Sequence, residues 1–151
     1  MIKLKKMTKK EYKSFIKKSI KRFAKEQIKS GYWLKEKALK EAKAQYKRNM
    51  GKGLKEPRLD FYTIHNKEDK KVGSLLLVKQ KNILFMDEIY IQKKYRHEGY
   101  GTATLKRVEK IAKKLNYDKV GIQVFTHNKV AKILYDNEGF NSILEFRMKR
   151  I

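Results

Sequence analysis

The sequence contains no cysteine, a single proline and no long apolar run. Without cysteine the chain has no disulfide, no thiolate metal site and no cysteine nucleophile. Its longest apolar runs are far shorter than the roughly 18 residues that a membrane-spanning helix requires. Three histidines (His65, His97 and His127) stand in no metal-ligand spacing, so no metal is expected. The basic N-terminus is not followed by an apolar segment, so we expect a cytoplasmic protein with no secretory signal and no membrane partner.

Acidic residues are also scarce, with 16 Asp and Glu against 40 Lys and Arg, which gives a formal net charge of +24. A charge of this size attracts polyanions such as nucleic acid. However, the lysines are spread over almost every segment, and few of the basic residues are arginine. Lysine used as a general surface residue therefore explains most of the charge. A basic nucleic-acid or ribosome-associated binding module stays as a less favoured alternative.

Apolar residues make up 40% of the 151 residues, enough for one folded domain spanning residues 1–151. Residues 2–7 alternate loosely and predict a first strand. Thr8 and Glu11 have the spacing of a capping box and open a helix that ends at Ser30 and Gly31. A second amphipathic helix is expected from about residue 33 to residue 50, followed by a loop at 51–57.

Beyond this loop the apolar period changes from about 3.6 residues to 2, which is typical of strands. Strands are expected at 59–65, 72–78, 83–91, 119–125 and 143–148, and helices at 100–115 and 128–137. The strand–helix–strand unit from 83 to 125 must cross over right-handed, so its two strands are parallel neighbours. The prediction is an α/β (α+β) fold: a mixed, mostly antiparallel sheet with one parallel pair and helices on both faces.

The segment RHEGYGT at residues 96–102 lies between a predicted strand and a predicted helix. The first N–H groups of a helix are unpaired and its N-terminal end is positive. Gly99 and Gly101 allow a tight turn without a Cβ atom in the way of a phosphate, and Arg96 adds a cationic donor. These features favour a pyrophosphate-binding loop. The alternative is a glycine turn without a ligand, in which Arg96 is one more solvated cation.

The spacing matches neither GxxxxGK[ST] nor GxGxxG, the two common nucleotide loops. It reads R-x-x-G-x-G, which resembles the coenzyme A loop of the GNAT superfamily, Q/R-x-x-G-x-G/A. Downstream, a short helix opens with Asn128 and carries A-x-x-L-Y at 131–135 before G-F at 139–140, also as in that family. Upstream, DEIYI at 87–91 is similar to its fourth strand. From about residue 85 onward the chain thus resembles an acetyl-CoA-dependent N-acetyltransferase.

The resemblance implies a binding site for acetyl-CoA as cosubstrate. Backbone groups of Ile89 and Ile91, with Tyr90 between them, would pair with pantetheine, provided that the strands holding Ile89 and Gln123 splay apart. The pyrophosphate would be held by Arg96, His97, Glu98, Gly99, Tyr100, Gly101 and Thr102. Asn128 would bond pantetheine or simply cap its helix. For the two isoleucines the alternative is plain core packing.

The same resemblance places Tyr135 beside the cofactor sulfur as the acid that protonates the leaving thiolate, although a core aromatic residue would show the same pattern. The general base stays open. A glutamate that some members carry five residues before the helix-opening asparagine is Gln123 here, which cannot act as a base. Asp87 and Glu88 remain, on opposite faces of the strand by simple alternation. Asp87 is favoured over Glu88, and His127 is a third candidate.

A ternary complex with direct transfer to a primary amine is the mechanism that the resemblance implies. The acceptor is expected to be a small molecule or a peptide, preferably a weakly charged or anionic amine because the chain is so basic. Trp33, Tyr32 and Tyr62 line an acceptor pocket or belong to the core. A homodimer, and a domain that binds acyl-CoA without catalysis, are left open.

Overall fold

Five strands and four α-helices form the fold in a computed structural model that describes residues 1–151. In chain order they are β1 Lys3–Lys6, α1 Lys9–Lys29, α2 Lys35–Asn49, β2 Leu59–His65, β3 Lys71–Lys79, β4 Leu84–Ile91, α3 Tyr100–Lys114, β5 Val120–Ile122 and α4 Lys129–Asn137. Short 3₁₀ turns at Gly53–Lys55 and Lys93–Tyr95 precede β2 and α3. None of the helices combines the length and apolar character that crossing a bilayer requires.

The strands form one sheet in the order β1-β2-β3-β4-β5. The first four are antiparallel to their neighbours, and β5 lies parallel to β4. This arrangement confirms the predicted mixed sheet with a single parallel pair. The helix α3 connects β4 to β5, as a crossover between parallel strands requires.

Two apolar layers cover the two faces of the sheet. On one face Leu75, Leu77 and Met86 pack with Leu105 and Val108 of α3. On the other face a second cluster joins Phe15 of α1 to strand residues that include Phe61 and Leu76. Neighbouring residues Leu75, Leu76 and Leu77 thus alternate between the layers, as the pleat of a strand dictates. Helices on both faces were predicted and are present.

The start of α1 is fixed by local side-chain chemistry. Thr8 Oγ1 accepts a hydrogen bond from Glu11 N at 3.2 Å, and Glu11 Oε2 accepts one from Thr8 N at 2.9 Å. Both halves of the predicted capping box are therefore formed. They pair two of the N–H groups that a helix N-terminus otherwise leaves unpaired.

The last predicted strand is wrong: residues 140–151 contain no regular structure. Ile143 and Leu144 are 92% and 87% exposed, and Phe146 is 79% exposed. A strand needs a partner edge, and this segment pairs with none because it runs to the α1–α2 turn, where Arg150 Nη2 donates to the Gly31 carbonyl at 2.7 Å. The fifth strand is also shorter than predicted, ending at Ile122 rather than at 125.

Candidate active site

The parallel strands β4 and β5 separate after three paired positions. Leu84 pairs with Val120, Phe85 with Gly121 and Met86 with Ile122, and there the ladder ends. β4 continues to Ile91, so one edge of residues 87–91 has no strand beside it. The predicted splaying of the two strands is thereby confirmed. The open edge offers unpaired backbone groups to an extended, amide-containing ligand.

A β-bulge lies at Asp87, where the two strands separate. Leu77 pairs with Met86 and Leu76 pairs with Glu88, so Asp87 is an extra residue with no partner on β3. Such a bulge bends the strand and interrupts its alternation. Phe85 and Glu88 consequently both lie on the α1 side of the sheet, one against the second core cluster and the other against α1.

The expectation that Asp87 and Glu88 occupy opposite faces fails for the same reason. The charges of both carboxylates act on the hydroxyl of Tyr46 in α2, whose pKa is raised by burial first and by these two charges next. Both carboxylates therefore lie near Tyr46. Strict alternation of side chains between the two faces assumes a regular ladder. The inserted residue moves every later residue of β4 to the opposite face from the one that alternation predicts.

Glu88 is held by several donors. Arg22 Nη2 donates to its Oε1 at 2.5 Å, and Ser19 Oγ donates to the same atom at 3.1 Å. The Tyr46 hydroxyl lies 3.4 Å from Oε2. These three residues come from α1 and α2, more than forty positions before Glu88 in the chain. None of the three could be predicted from the sequence, since nothing in an amphipathic helix indicates which polar residue will contact a distant strand.

Asp87 forms no ion pair, and its side chain reaches solvent. Its pKa is raised, mainly because the surrounding protein disfavours the charged form, and further because Glu88 is a neighbouring negative charge. Arg58 opposes this shift weakly. A carboxylate that is accessible, unpaired and more basic than usual suits the role of a proton acceptor.

The turn before α3 exposes a row of backbone donors. The N–H groups of residues 97–102 donate to no protein acceptor, and α3 has no side-chain cap. His97 and Gly99 both adopt left-handed backbone conformations, with φ of 63° and 83°. Alternation of left- and right-handed residues curves successive N–H groups into a concave anion-binding site. A turn with free N–H groups is therefore present at RHEGYGT, at the positive end of α3, and its binding of a pyrophosphate stays a prediction.

Two further contacts shape this loop. A Cβ atom on Gly101 would lie 3.0 Å from Leu134 Cδ2, so glycine allows the first turn of α3 to approach α4 closely. Arg96 Nε donates to the Ile91 carbonyl at 3.0 Å, and its guanidinium lies 5.6 Å from the ring centre of Tyr90. Arg96 thus connects the end of the open β4 edge to the row of donors.

Tyr135 on α4 is 7% exposed and belongs to the core cluster that includes α3. Its ring packs edge-on against Phe140 at 5.7 Å. Burial raises the pKa of Tyr135 to about 12. No polar side-chain atom that is sealed from solvent lacks a hydrogen-bond partner, and the Tyr135 hydroxyl makes no bond to the protein, so this hydroxyl reaches accessible space. Tyr135 is therefore a core residue with a free polar tip.

Two side chains of the segment after β5 form hydrogen bonds with the protein. Asn128 caps α4 by accepting a hydrogen bond from Ala131 N at 3.2 Å. His127 Nε2 lies 2.5 Å from Glu26 Oε2 on α1, and its ring stacks on Phe125 at 5.3 Å. Asn128 thus performs the predicted capping role. The imidazole of His127, the third base candidate, already has a carboxylate partner.

The three aromatic residues proposed for an acceptor pocket do not come together. Trp33 contacts Phe23 at 5.4 Å, in an aromatic group between α1 and α2. Tyr32 is 45% exposed at the α1–α2 turn. Tyr62 packs against the core cluster on the opposite face of the sheet, the one that α3 covers. Only Trp33 and Tyr32 therefore remain on the side of the sheet that Glu88 faces.

The open β4 edge, the bulge and the concave row of donors can be compared with known proteins. The model of the acetyltransferase (GNAT) family matches residues 20–140, which is most of the chain. The chain belongs to the GNAT family. It is accordingly an acyltransferase with the GNAT fold, a mixed five-stranded sheet flanked by helices. The sequence resemblance, which was specific only from about residue 85, thus extends back to residue 20, within the first helix.

Individual relatives agree with this assignment. The uncharacterized N-acetyltransferase YycN of Bacillus subtilis is 27% identical over 134 residues, which cover 86% of each chain. Its crystal structure superimposes with a TM-score of 0.94 at 26% identity, covering 100% of this chain and 99% of that one. The uncharacterized N-acetyltransferase YdgE of the same organism is 25% identical over 148 residues, 95% of this chain and 94% of its own.

One structural neighbour was solved with a ligand. A predicted acetyltransferase from Clostridium acetobutylicum, crystallised with acetyl-CoA, superimposes with a TM-score of 0.64 and covers 99% of this chain and 96% of its own. At 16% identity this likeness shows the shared fold alone. The fold of the present chain is thus one on which acetyl-CoA binds in another protein.

Proposed function

We propose that this GNAT enzyme transfers an acetyl group from acetyl-CoA to a primary amine, and that residues 1–151 act as one acetyltransferase domain. The observation that carries the proposal is the row of six free N–H groups at residues 97–102 beside the open edge of β4. A ligand that carries a diphosphate joined to an amide-containing arm would suit both features. The N–H groups would bind the diphosphate, and the strand edge would pair with the arm. The acceptor is the amine of a small molecule or a peptide.

The residues present fit coenzyme A. Amides of 97–102 and the guanidinium of Arg96 would hold the pyrophosphate, where helix polarity and charge-assisted hydrogen bonds favour an anion. Backbone groups of Ile89 and Ile91 would pair with pantetheine along the edge that β5 leaves open. The net charge of +24 raises the local concentration of an anionic ligand. Bound acetyl-CoA supplies an acetyl thioester, an acyl group with a good leaving thiol.

Asp87 is the proposed base. Its carboxylate removes a proton from the acceptor ammonium, directly or through one water, because only a neutral amine attacks a carbonyl. The C–N bond then forms, the attacking nitrogen gives up its second proton to water, and the C–S bond breaks. A backbone N–H near Ile89 stabilises the negative charge on the carbonyl oxygen in between. Glu88 is the weaker candidate, since donors from α1 and α2 already occupy both of its oxygens.

Tyr135 acts on the leaving sulfur. Its free hydroxyl would donate a hydrogen bond to the developing thiolate. A pKa of about 12 keeps the hydroxyl protonated at neutral pH. Because a free thiol has a pKa of roughly 8.5, complete proton transfer from Tyr135 requires that the same apolar surroundings raise the pKa of the thiol as well.

Transfer proceeds directly in a ternary complex. The chain has no cysteine to carry the acetyl group, and a single attack needs only that both substrates be held together. Phe23 and Trp33 pack against each other on the α1 side of the open edge, and they would border the acceptor.

Two measurements on the purified chain test the proposal. Acetyl-CoA should raise the melting temperature in a concentration-dependent way, whereas adenosine, which lacks both the diphosphate and the pantetheine arm, should not. Release of free thiol from acetyl-CoA, followed across a panel of primary amines, then identifies the acceptor class. An unchanged melting temperature at millimolar acetyl-CoA, together with no thiol release from any amine, would refute the proposal.

A further inference from the structure

The aromatic ring of Tyr90 on β4 is contacted by two arginines. The Arg22 guanidinium lies 3.9 Å from the centre of this ring, and the Arg96 guanidinium lies 5.6 Å from the same centre. Both distances fall within the roughly 6 Å over which an aromatic ring attracts a cation. Two cations from distant parts of the chain, α1 and the turn before α3, therefore meet at one side chain of the open strand.

The bulge at Asp87 explains why the Tyr90 side chain is on the α1 side of the sheet. Alternation resumes after the inserted residue, so Glu88 and Tyr90 share a face, and both contact Arg22 of α1. The isoleucines on either side of Tyr90 pack in the core cluster on the α3 side. Without the inserted residue Tyr90 would face α3, and Arg22 could not reach its ring.

The two arginines differ in the partners that they have. Arg22 forms an ion pair with Glu88, which neutralises its charge. Arg96 forms no ion pair, and its one hydrogen bond runs from Nε to the Ile91 carbonyl at 3.0 Å. The two Nη groups of Arg96 therefore keep their N–H donors free for an anion.

The Arg96 guanidinium is held at two points, by the Ile91 carbonyl and by the Tyr90 ring. Arg22 stacks on the same ring and is itself fixed by Glu88, so the ring is restrained as well. Fixing a long, flexible side chain before a ligand arrives removes the cost of ordering that side chain from the free energy of binding. The donors of Arg96 are thus oriented beside the N–H groups of residues 97–102 in advance.

We infer that Tyr90 is a positioning residue for coenzyme binding. Its ring holds Arg96 in the orientation that binds the pyrophosphate, and its contact with Arg22 connects that orientation to the ion pair with Glu88. The inference rests on the proposed use of acetyl-CoA. It adds a role for the side chain of a strand whose backbone would pair with pantetheine. The contacts with both guanidinium groups are made by the ring, so the hydroxyl of Tyr90 is not required.

Isothermal titration with acetyl-CoA tests the inference, and it requires no knowledge of the acceptor. Tyr90→Leu removes the ring and should raise the Kd by about three- to tenfold, the size expected for the loss of a cation–π contact. Tyr90→Phe keeps the ring and should restore the wild-type Kd. Tyr62→Leu is the matched control, because it removes a ring that lies 4.4 Å from the Lys6 ammonium on β2, two strands away from β4. Its Kd should equal that of the wild type.

A double-mutant cycle separates the positioning of Arg96 from a general effect on the fold. In a chain that already carries Arg96→Ala, Tyr90→Leu should leave the Kd unchanged, because the ring then has no arginine to orient at the loop. A purely structural role would give the same fold-change with and without Arg96. Circular dichroism checks that each variant is folded. If Tyr90→Leu fails to fold, Tyr90→Ile replaces it, since a β-branched side chain suits a strand.

Four results would overturn the inference. They are an unchanged Kd in Tyr90→Leu, an equal loss of affinity in Tyr90→Phe, an equal loss in Tyr62→Leu, and the same effect of Tyr90→Leu with and without Arg96. Failure of the proposed function is distinguishable from these, because the wild type itself would then not bind acetyl-CoA, and the inference would fail with it. Binding by the wild type with an unchanged Kd in Tyr90→Leu refutes the inference alone.

Discussion

Arg22 on α1 and Glu88 on β4 form an ion pair at 2.5 Å in which the two side chains are only 29% and 16% exposed. The same guanidinium lies 3.9 Å from the ring centre of Tyr90. Arg22 therefore holds two residues of β4 that follow the bulge. It fixes the strand edge against α1 at the point where the sheet opens, and it leaves Asp87 as the unpaired carboxylate of the site.

Replacing Arg22 should destabilise the fold. Arg22→Ala leaves a largely buried carboxylate without its charged partner, and we expect a loss of roughly 1–3 kcal/mol, below the 3–5 typical of a fully buried pair. Urea unfolding measures the loss. Lys21→Ala, at the exposed neighbouring position, should change stability by less than about 0.5 kcal/mol. Equal effects of the two substitutions would show that the ion pair contributes nothing.

Tyr135→Phe should lower kcat by about 10²- to 10⁴-fold while the Kd for acetyl-CoA stays the same, because only the leaving sulfur needs the hydroxyl. The ring, and hence the packing on Phe140, is kept. Steady-state kinetics and calorimetric binding separate the two quantities. Tyr117→Phe is the matched control, since its hydroxyl donates to the Gln80 carbonyl away from the site. A kcat equal to the wild-type value would assign Tyr135 to the core alone.

Asp87→Asn should abolish the acidic limb of the pH profile of kcat/KM. A base works only when deprotonated, and the raised pKa of Asp87 shifts that limb to higher pH than an ordinary aspartate would give. The profile is measured from pH 4 to 9 at saturating acetyl-CoA. Asp118→Asn, at a highly exposed position, should keep the limb. A limb that survives in Asp87→Asn would point to another base.

The same substitution should stabilise the protein at neutral pH. A raised pKa means that the folded state binds more protons than the unfolded state between the ordinary pKa of aspartate and the pKa of folded Asp87. Stability therefore falls as pH rises through that window, and the loss persists above it. Thermal melts should show a higher melting temperature for Asp87→Asn at pH 7 and no difference near pH 3. A lower melting temperature at pH 7 would contradict the unfavourable placement of this charge.

Arg96→Ala should raise the Kd for acetyl-CoA by about tenfold or more, as expected for the loss of a charge-assisted hydrogen bond to phosphate. The difference between variant and wild type should shrink as salt concentration rises. Isothermal titration at two salt concentrations provides both values. Arg107→Ala, on the exposed side of α3, removes the same charge at a distance from the loop and serves as the control. Identical Kd values for the two variants would show that Arg96 contributes to acetyl-CoA binding only through the overall charge of the protein.

Features that depend on a few adjacent residues could be predicted from the sequence. The capping box of Thr8 and Glu11, the break at Gly31 and the RHEGYGT loop are local, and all three are found. The parallel pair followed from the strand–helix–strand order, because a crossover helix joins parallel strands. The order of helices and strands could therefore be predicted from the sequence up to the end of α4.

The remaining features depend on pairing between distant segments. No glycine or proline near Asp87 indicates the bulge in the sequence, and it becomes visible only in the register between β3 and β4. Alternation at residues 143–148 predicted a strand that the structure does not contain, because periodicity says nothing about which strand edge a segment meets. The ion pair of Arg22 and Glu88 spans sixty-six residues, beyond the reach of any local pattern.

The left-handed conformation of His97 has a consequence for how quickly a ligand is captured. A non-glycine residue at φ of 63° carries strain of about 1 kcal/mol, which the folded chain bears before any ligand arrives. The donors of the loop consequently need no rearrangement on encounter, and capture should be limited by diffusion and electrostatic steering rather than by loop closure.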